Sequence, residues 1–136
     1  MSDITAIQQL LNRYTEAASR ADWPTVSSCF TADAVWDTPA GRIAGRDAAI
    51  AKMQELVAGF DYVVQLNAPG VIDVSGDTAT ARSVIRECGK LKGQDVAMEF
   101  LAHYNDKIVR TADGWKFTER VFVSQGMHSF AVTAVG

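Results

Sequence analysis

The 136-residue sequence is short of the residues from which several large functional classes are built. Its two cysteines, Cys29 and Cys88, stand far apart with no CxxC or Cys/His spacing. That argues against a disulfide framework or zinc site and for two small buried apolar side chains. Its two histidines, His103 and His128, are not set in an HExxH arrangement, and neither a GxGxxG run nor a P-loop glycine-lysine motif occurs. Zinc proteases, dinucleotide-binding enzymes and P-loop NTPases are therefore disfavoured, and neither a metal nor an organic cofactor is expected. Charge of one sign is also missing: 13 basic and 16 acidic residues are spread along the chain for a net −3, so no nucleic-acid partner is expected. No apolar run approaches the roughly 18 residues of a membrane span. Met1-Ser2-Asp3 is followed by neither a basic region nor an apolar stretch, so the expectation is a cytoplasmic protein with no membrane partner.

What is present is enough for one core. Apolar residues make up 48% and charged residues 21% of the chain, which suits a single domain over residues 1–136. Ile4, Ile7, Leu11, Tyr14 and Ala18 recur at helical spacing, and Asp22 before Trp23-Pro24 reads as the cap and first turn of a shorter second helix. Ala34-Val35-Trp36 reads as a short strand and Thr38-Pro39-Ala40-Gly41 as a turn; a third helix follows Gly45 and stops near Gly59. Beyond it the period becomes strand-like, with strands expected at 62–66, 71–74, 79–88, 98–110 and 115–125. Their short links suit antiparallel hairpins, giving an α+β architecture with helices first and a curved, mostly antiparallel sheet second.

Several segments in this order resemble the nuclear transport factor 2-like superfamily, and within it the SnoaL-like branch. They are Leu11-x-x-Tyr14, Ala21-Asp22-Trp23, Phe30-Thr31-Ala32-Asp33-Ala34-Val35-Trp36, Gly45-Arg46-Asp47-Ala48, Gly76-Asp77-x-Ala79-x-Ala81-Arg82, Tyr104-x-Asp106 and Asp113-Gly114-Trp115-Lys116-Phe117-x-x-Arg120. The resemblance implies a cone-shaped sheet wrapped around an apolar pocket, closed by the N-terminal helices. It also implies a homodimer formed through the outer sheet face. It leaves function open, because the fold carries isomerases, dehydratases, cyclases, oxygenase subunits and non-catalytic binders alike.

The catalytic patterns of related branches match only in part. In the dehydratase and dehydrochlorinase pattern an Asp orients a His base; those positions resemble Ser19 and Gln65, and a glutamine does not titrate. In the ketosteroid isomerase pattern, the handed-down set is a base, a tyrosine and a neutral aspartic acid. Tyr14 matches the tyrosine and Asp106 the aspartic acid, while the base position falls on Thr38 with Asp37 one residue earlier. Strand alternation groups Asp106 with Phe100, Ala102, Tyr104 and Ile108 on one apolar face, where a carboxyl needs a proton, a hydrogen bond or a cationic partner. The expected catalytic residues are thus Tyr14, Asp106 and Asp37. The expected substrate-binding residues are Trp36, Met53, Phe60, Gln65, Phe100, Tyr104, Phe117 and Glu119, the last two sharing one face of the final strand with Trp115, Val121 and Val123. If Asp106 faces the cavity opposite Tyr14, Asp106→Asn should stabilise the protein near neutral pH. The ligand expected is a small hydrophobic, ring-containing molecule. Two readings stand: a cofactor-free isomerase, lyase or cyclase, and a non-catalytic binding or oxygenase-subunit-like module.

Overall fold

The computed structural model describes residues 1–133. Helix α1 spans Asp3–Ser19 and buries Ile7, Leu10, Leu11, Tyr14 and Ala17; of the predicted stripe, Ile4 is left 49% exposed and Ala18 half-buried. Ser2 caps it, its Oγ accepting from the Thr5 amide. Helix α2, Trp23–Ser28, begins under Asp22, whose carboxylate accepts from the amide and hydroxyl of Thr25. Strands β1 (Phe30–Thr38) and β2 (Gly41–Ala44) form a hairpin, followed by α3 (Arg46–Val57). Among the described residues five further strands follow: β3 Phe60–Asn67, β4 Val71–Ser75, β5 Thr78–Leu91, β6 Val96–Thr111 and β7 Gly114–Ala131.

All seven strands join one curved sheet in the order β2-β1-β7-β6-β5-β3, with β4 also paired to β5. The sheet is open, ending at β2 and β3, and does not close into a barrel. The α+β, helix-first reading holds, with two differences. The strand expected at Ala34-Val35-Trp36 already begins at Phe30, and β1 pairs in parallel with β7. A parallel neighbour needs a long crossover, and here nearly the whole chain supplies it. The hairpin strand β2 is four residues of mixed exposure, too short to carry a strand period.

Helix α1 lies against β3, β4 and β7, and α3 covers β1. The resulting core joins α1 to Val26, Phe30, Ile85, Tyr104, Ile108 and Phe117. Each fully buried large apolar side chain contributes about 1.5–3 kcal/mol by leaving water. Two irregularities in the β6–β7 ladder decide which β7 residues point inward. Lys107 pairs with Glu119 but Ile108 with Phe117, and Leu101 pairs with Gly126 but Ala102 with Ser124. One extra residue on β7 at each place reverses the alternation beyond it.

Candidate functional site

A cavity of about 420 Å³ lies between the concave sheet face and the helices. Its apolar wall is built by Trp36, Met53, Leu56, Phe60, Phe100 and Phe122, and the turn Thr38-Pro39-Ala40 forms part of its edge. Gly89 lets Phe60 lie flat on β5, since a Cβ on Gly89 would stand 2.6 Å from Phe60 Cδ1. Among the polar side chains on the wall are Tyr14 from α1, Gln65 from β3, Glu87 from β5 and Tyr104 from β6.

Glu87 is the feature that the sequence reading missed. Its Oε2 accepts from Gln65 Nε2 at 2.6 Å. Burial pushes its carboxyl above the ordinary carboxylate pKa, with the Gln65 amide pulling the other way. Among the described residues no lysine, arginine or histidine lines the cavity to balance it. The signal was available: on β5 the inward series Ala79, Ala81, Ser83 and Ile85 continues in phase to Glu87. Gln65 is held from behind, its amide N–H donating to Ser19 Oγ at 2.9 Å, while Ser19 Oγ donates to the Thr15 carbonyl. The two positions matched to the dehydratase dyad therefore do meet, but through a backbone bond and without a titratable group.

The structure brings Tyr14, Trp36, Met53, Phe60, Gln65, Phe100 and Tyr104 together around the cavity. It places four expected residues elsewhere. Asp37 turns away from the wall and pairs with Arg42 at 3.1 Å, because β1 keeps unbroken register with β2 from Val35 to Thr38 and Thr38 takes the inward position. Glu119 lies on the outer side near Arg42 and Lys107, since the extra residue at Thr118 flips its phase and sends Arg120 and Phe122 inward instead. Phe117 is fully buried below the cavity, against Tyr14 and Phe30. Asp106 also lies beneath the wall, fully buried, and accepts from Arg120 Nε at 2.9 Å and Nη2 at 3.3 Å.

That ion pair corrects the expectation of an Asp106 open to the ligand. Burial does raise the Asp106 pKa while Arg120 draws it down, but the carboxyl faces a guanidinium and not the cavity. Burial also raises the pKa of Tyr14, and that of Tyr104 well above its ordinary value; the two rings meet edge to face with centroids 6.1 Å apart. Trp36 Nε1 and Gln65 Oε1 are buried with no hydrogen-bond partner among the described residues. Among the described residues no three His, Cys, Asp or Glu side chains come together in metal-binding range, and no helix is long and apolar enough to cross a membrane.

An open, curved α+β sheet around an aromatic-lined cavity is the architecture of the nuclear transport factor 2-like proteins. The chain belongs to the SnoaL-like domain family, whose model matches residues 1–121. A protein of Mycobacterium tuberculosis, described as uncharacterized, is 32% identical over 124 residues, 89% of this chain and 84% of its own. Among solved structures, a hexachlorocyclohexane dehydrochlorinase of Novosphingobium barchaimii superposes with a TM-score of 0.85 at 18% identity, covering 97% of this chain and 92% of that one. A scytalone dehydratase candidate of Novosphingobium aromaticivorans gives 0.85 at 22% identity, covering 96% and 89%. A nuclear transport factor 2-like protein of Salmonella enterica gives 0.79 at 16%, covering 98% and 94%. At these identities the likeness is one of fold.

Proposed function

We propose that the protein is a cofactor-free enzyme of the isomerase, lyase or cyclase type, acting on a hydrophobic ring-containing molecule by acid–base chemistry, with Glu87 as the proton carrier. The observation that carries this reading is the Glu87 carboxyl on the wall of an apolar cavity with a neutral amide as its hydrogen-bond partner. A desolvated carboxyl with a raised pKa titrates closer to neutrality and is a better base than an exposed one. The gap between the dehydratase pattern and Gln65 is thereby filled from the next strand, since Glu87 pairs directly with Gln65 across β3 and β5. The test is to incubate the protein with neutral ring ketones and halogenated ring compounds in D2O and follow exchange and elimination by NMR. Protein-dependent exchange or elimination is expected. Binding without either would favour the accessory, non-catalytic reading.

The proposal extends to assembly as a homodimer through the outer sheet face. It is supported there by Leu66, Val84 and Leu101, which are 64%, 59% and 40% exposed on β3, β5 and β6. Light scattering at micromolar concentration should return twice the chain mass; a monomer would count against it.

A further inference from the structure

The cavity wall can carry charge of one sign only. Among the described residues Glu87 is the single lining side chain able to ionise near neutral pH, and the surface around it is largely aromatic, with Trp23, Trp36, Phe60, Phe100, Tyr104 and Phe122. The Gln65 amide occupies Glu87 Oε2, whereas Glu87 Oε1 has no hydrogen bond among the described residues. Gln65 adds a second acceptor, its Oε1, on a side chain that is only 9% exposed and with no hydrogen-bond partner among those residues. The donors of the wall, Trp36 Nε1 among them, are neutral groups. A buried carboxyl beside two open acceptor atoms lacks a cation, and nothing on the wall supplies one.

We propose that the cavity takes ring-containing amines, the ligand's ammonium group pairing with Glu87 while its hydrocarbon rings lie among the aromatic side chains. The inference rests on the reading of the cavity as a site for ring-containing molecules and names their class. Two ions that both leave water to form a buried pair often do no better than break even. Here the carboxyl has already lost its water in folding, so only the ammonium is dehydrated on binding, and aromatic faces replace part of its hydration. An anion would meet Glu87 with no cation beside it, and a neutral ring compound would leave the carboxyl uncompensated. A ligand arriving as the free amine takes the carboxyl proton: the Glu87 O–H bond breaks, an N–H bond forms on the nitrogen lone pair, and carboxylate faces ammonium. When the ligand arrives already protonated, the Glu87 proton passes to water instead. Either way the ligand converts Glu87 to its base form inside an apolar chamber, which couples recognition to the proton-carrying role.

The test titrates 2-aminoindane, 2-indanol, indane and indane-2-carboxylate into the purified protein at neutral pH, with affinities from NMR. The amine should bind roughly ten- to hundredfold more tightly than the alcohol, the span of one hydrogen bond to a charged group. The carboxylate should bind most weakly. In Glu87→Gln the amine's advantage should fall to about threefold or less, with indane affinity unchanged. Carbon-13 NMR of the Glu87 carboxyl gives a readout that needs no variant. With the amine bound, the group should titrate at lower pH than in the free protein, because a cation beside it favours the charged form. Tyr14 and Tyr104, the other titratable groups on the wall, stay neutral there, since burial raises both. An amine that binds no better than the alcohol, that keeps its advantage in Glu87→Gln, or that leaves the Glu87 titration where it was overturns the proposal. A protein that binds the amine as expected yet neither exchanges a proton nor eliminates keeps the amine site and loses the enzymatic reading; one that turns over neutral ketones and ignores amines does the reverse.

Discussion

Glu87→Gln is expected to slow proton exchange at the carbon next to a ring carbonyl by about 100- to 10,000-fold, the range attributed to a positioned general base. In the exchange step the Glu87 carboxylate takes the proton and the carbon's electron pair moves toward the carbonyl oxygen. Returning a proton to the same carbon completes exchange, returning it to another completes isomerisation, and losing a leaving group instead completes elimination. The substitution keeps the shape and the contact with Gln65 but cannot accept the proton, so binding of the same ketone should change little. The pH profile should follow the group: the rate rises as pH climbs through the Glu87 pKa, which burial has moved above the ordinary carboxylate value. Stability carries the opposite sign. The native state holds this proton at pH values where the unfolded chain has released it, so folding loses stability as pH rises through the native value. Glu87→Gln removes that loss and should raise the melting temperature at neutral pH. An unchanged exchange rate, or a lower melting temperature at neutral pH, would remove Glu87 from the role given to it.

Asp106→Ala is expected to destabilise the protein by about 3–5 kcal/mol, because it leaves the Arg120 guanidinium buried without a counter-charge. Asp106→Asn should destabilise in the same direction, the reverse of what an Asp106 open to an apolar cavity would give. Replacing both partners, Arg120→Met with Asp106→Leu, should recover most of the loss, since a buried pair exchanged for apolar groups of similar size is often neutral. Urea unfolding of the three variants checks the sequence of effects. A single Asp106 variant as stable as the wild type would mean that the pair carries little energy.

The sequence was a good guide wherever period alone decides placement. The centre of the α1 stripe at Ile7, Leu11 and Tyr14, the cap at Asp22 and the inward series Phe100, Ala102, Tyr104 and Asp106 on β6 fall where their spacing puts them. Phase failed on β7, because an extra residue at Thr118 carries no mark in the sequence and a single such step moved Glu119 out and Arg120 in. Asp106 was on the right face yet in the wrong company: the partner that satisfies it lies beyond that same irregularity. Glu87 was legible from the β5 alternation but sits beside Arg86, whose outward side chain pairs with Glu99 and makes the two look like surface charges. The parallel β1–β7 pairing depends on contacts between the two ends of the chain, which no local pattern encodes.

The bare backbone at Gly89 has a consequence for the calibre of the cavity. Phe60 rests on the space where a side chain would begin. A single methyl there would meet the ring at well under contact distance and, with the β5 backbone behind it, drive the ring into the cavity. The size of molecule that fits is thus governed by a hydrogen atom on the wall behind Phe60, and a one-carbon change there would narrow the chamber by shifting an entire aromatic ring. Ligand size and ligand chemistry are consequently separable in this protein: the first is adjusted at Gly89, behind the Phe60 wall, and the second is set by the polar pair Gln65 and Glu87.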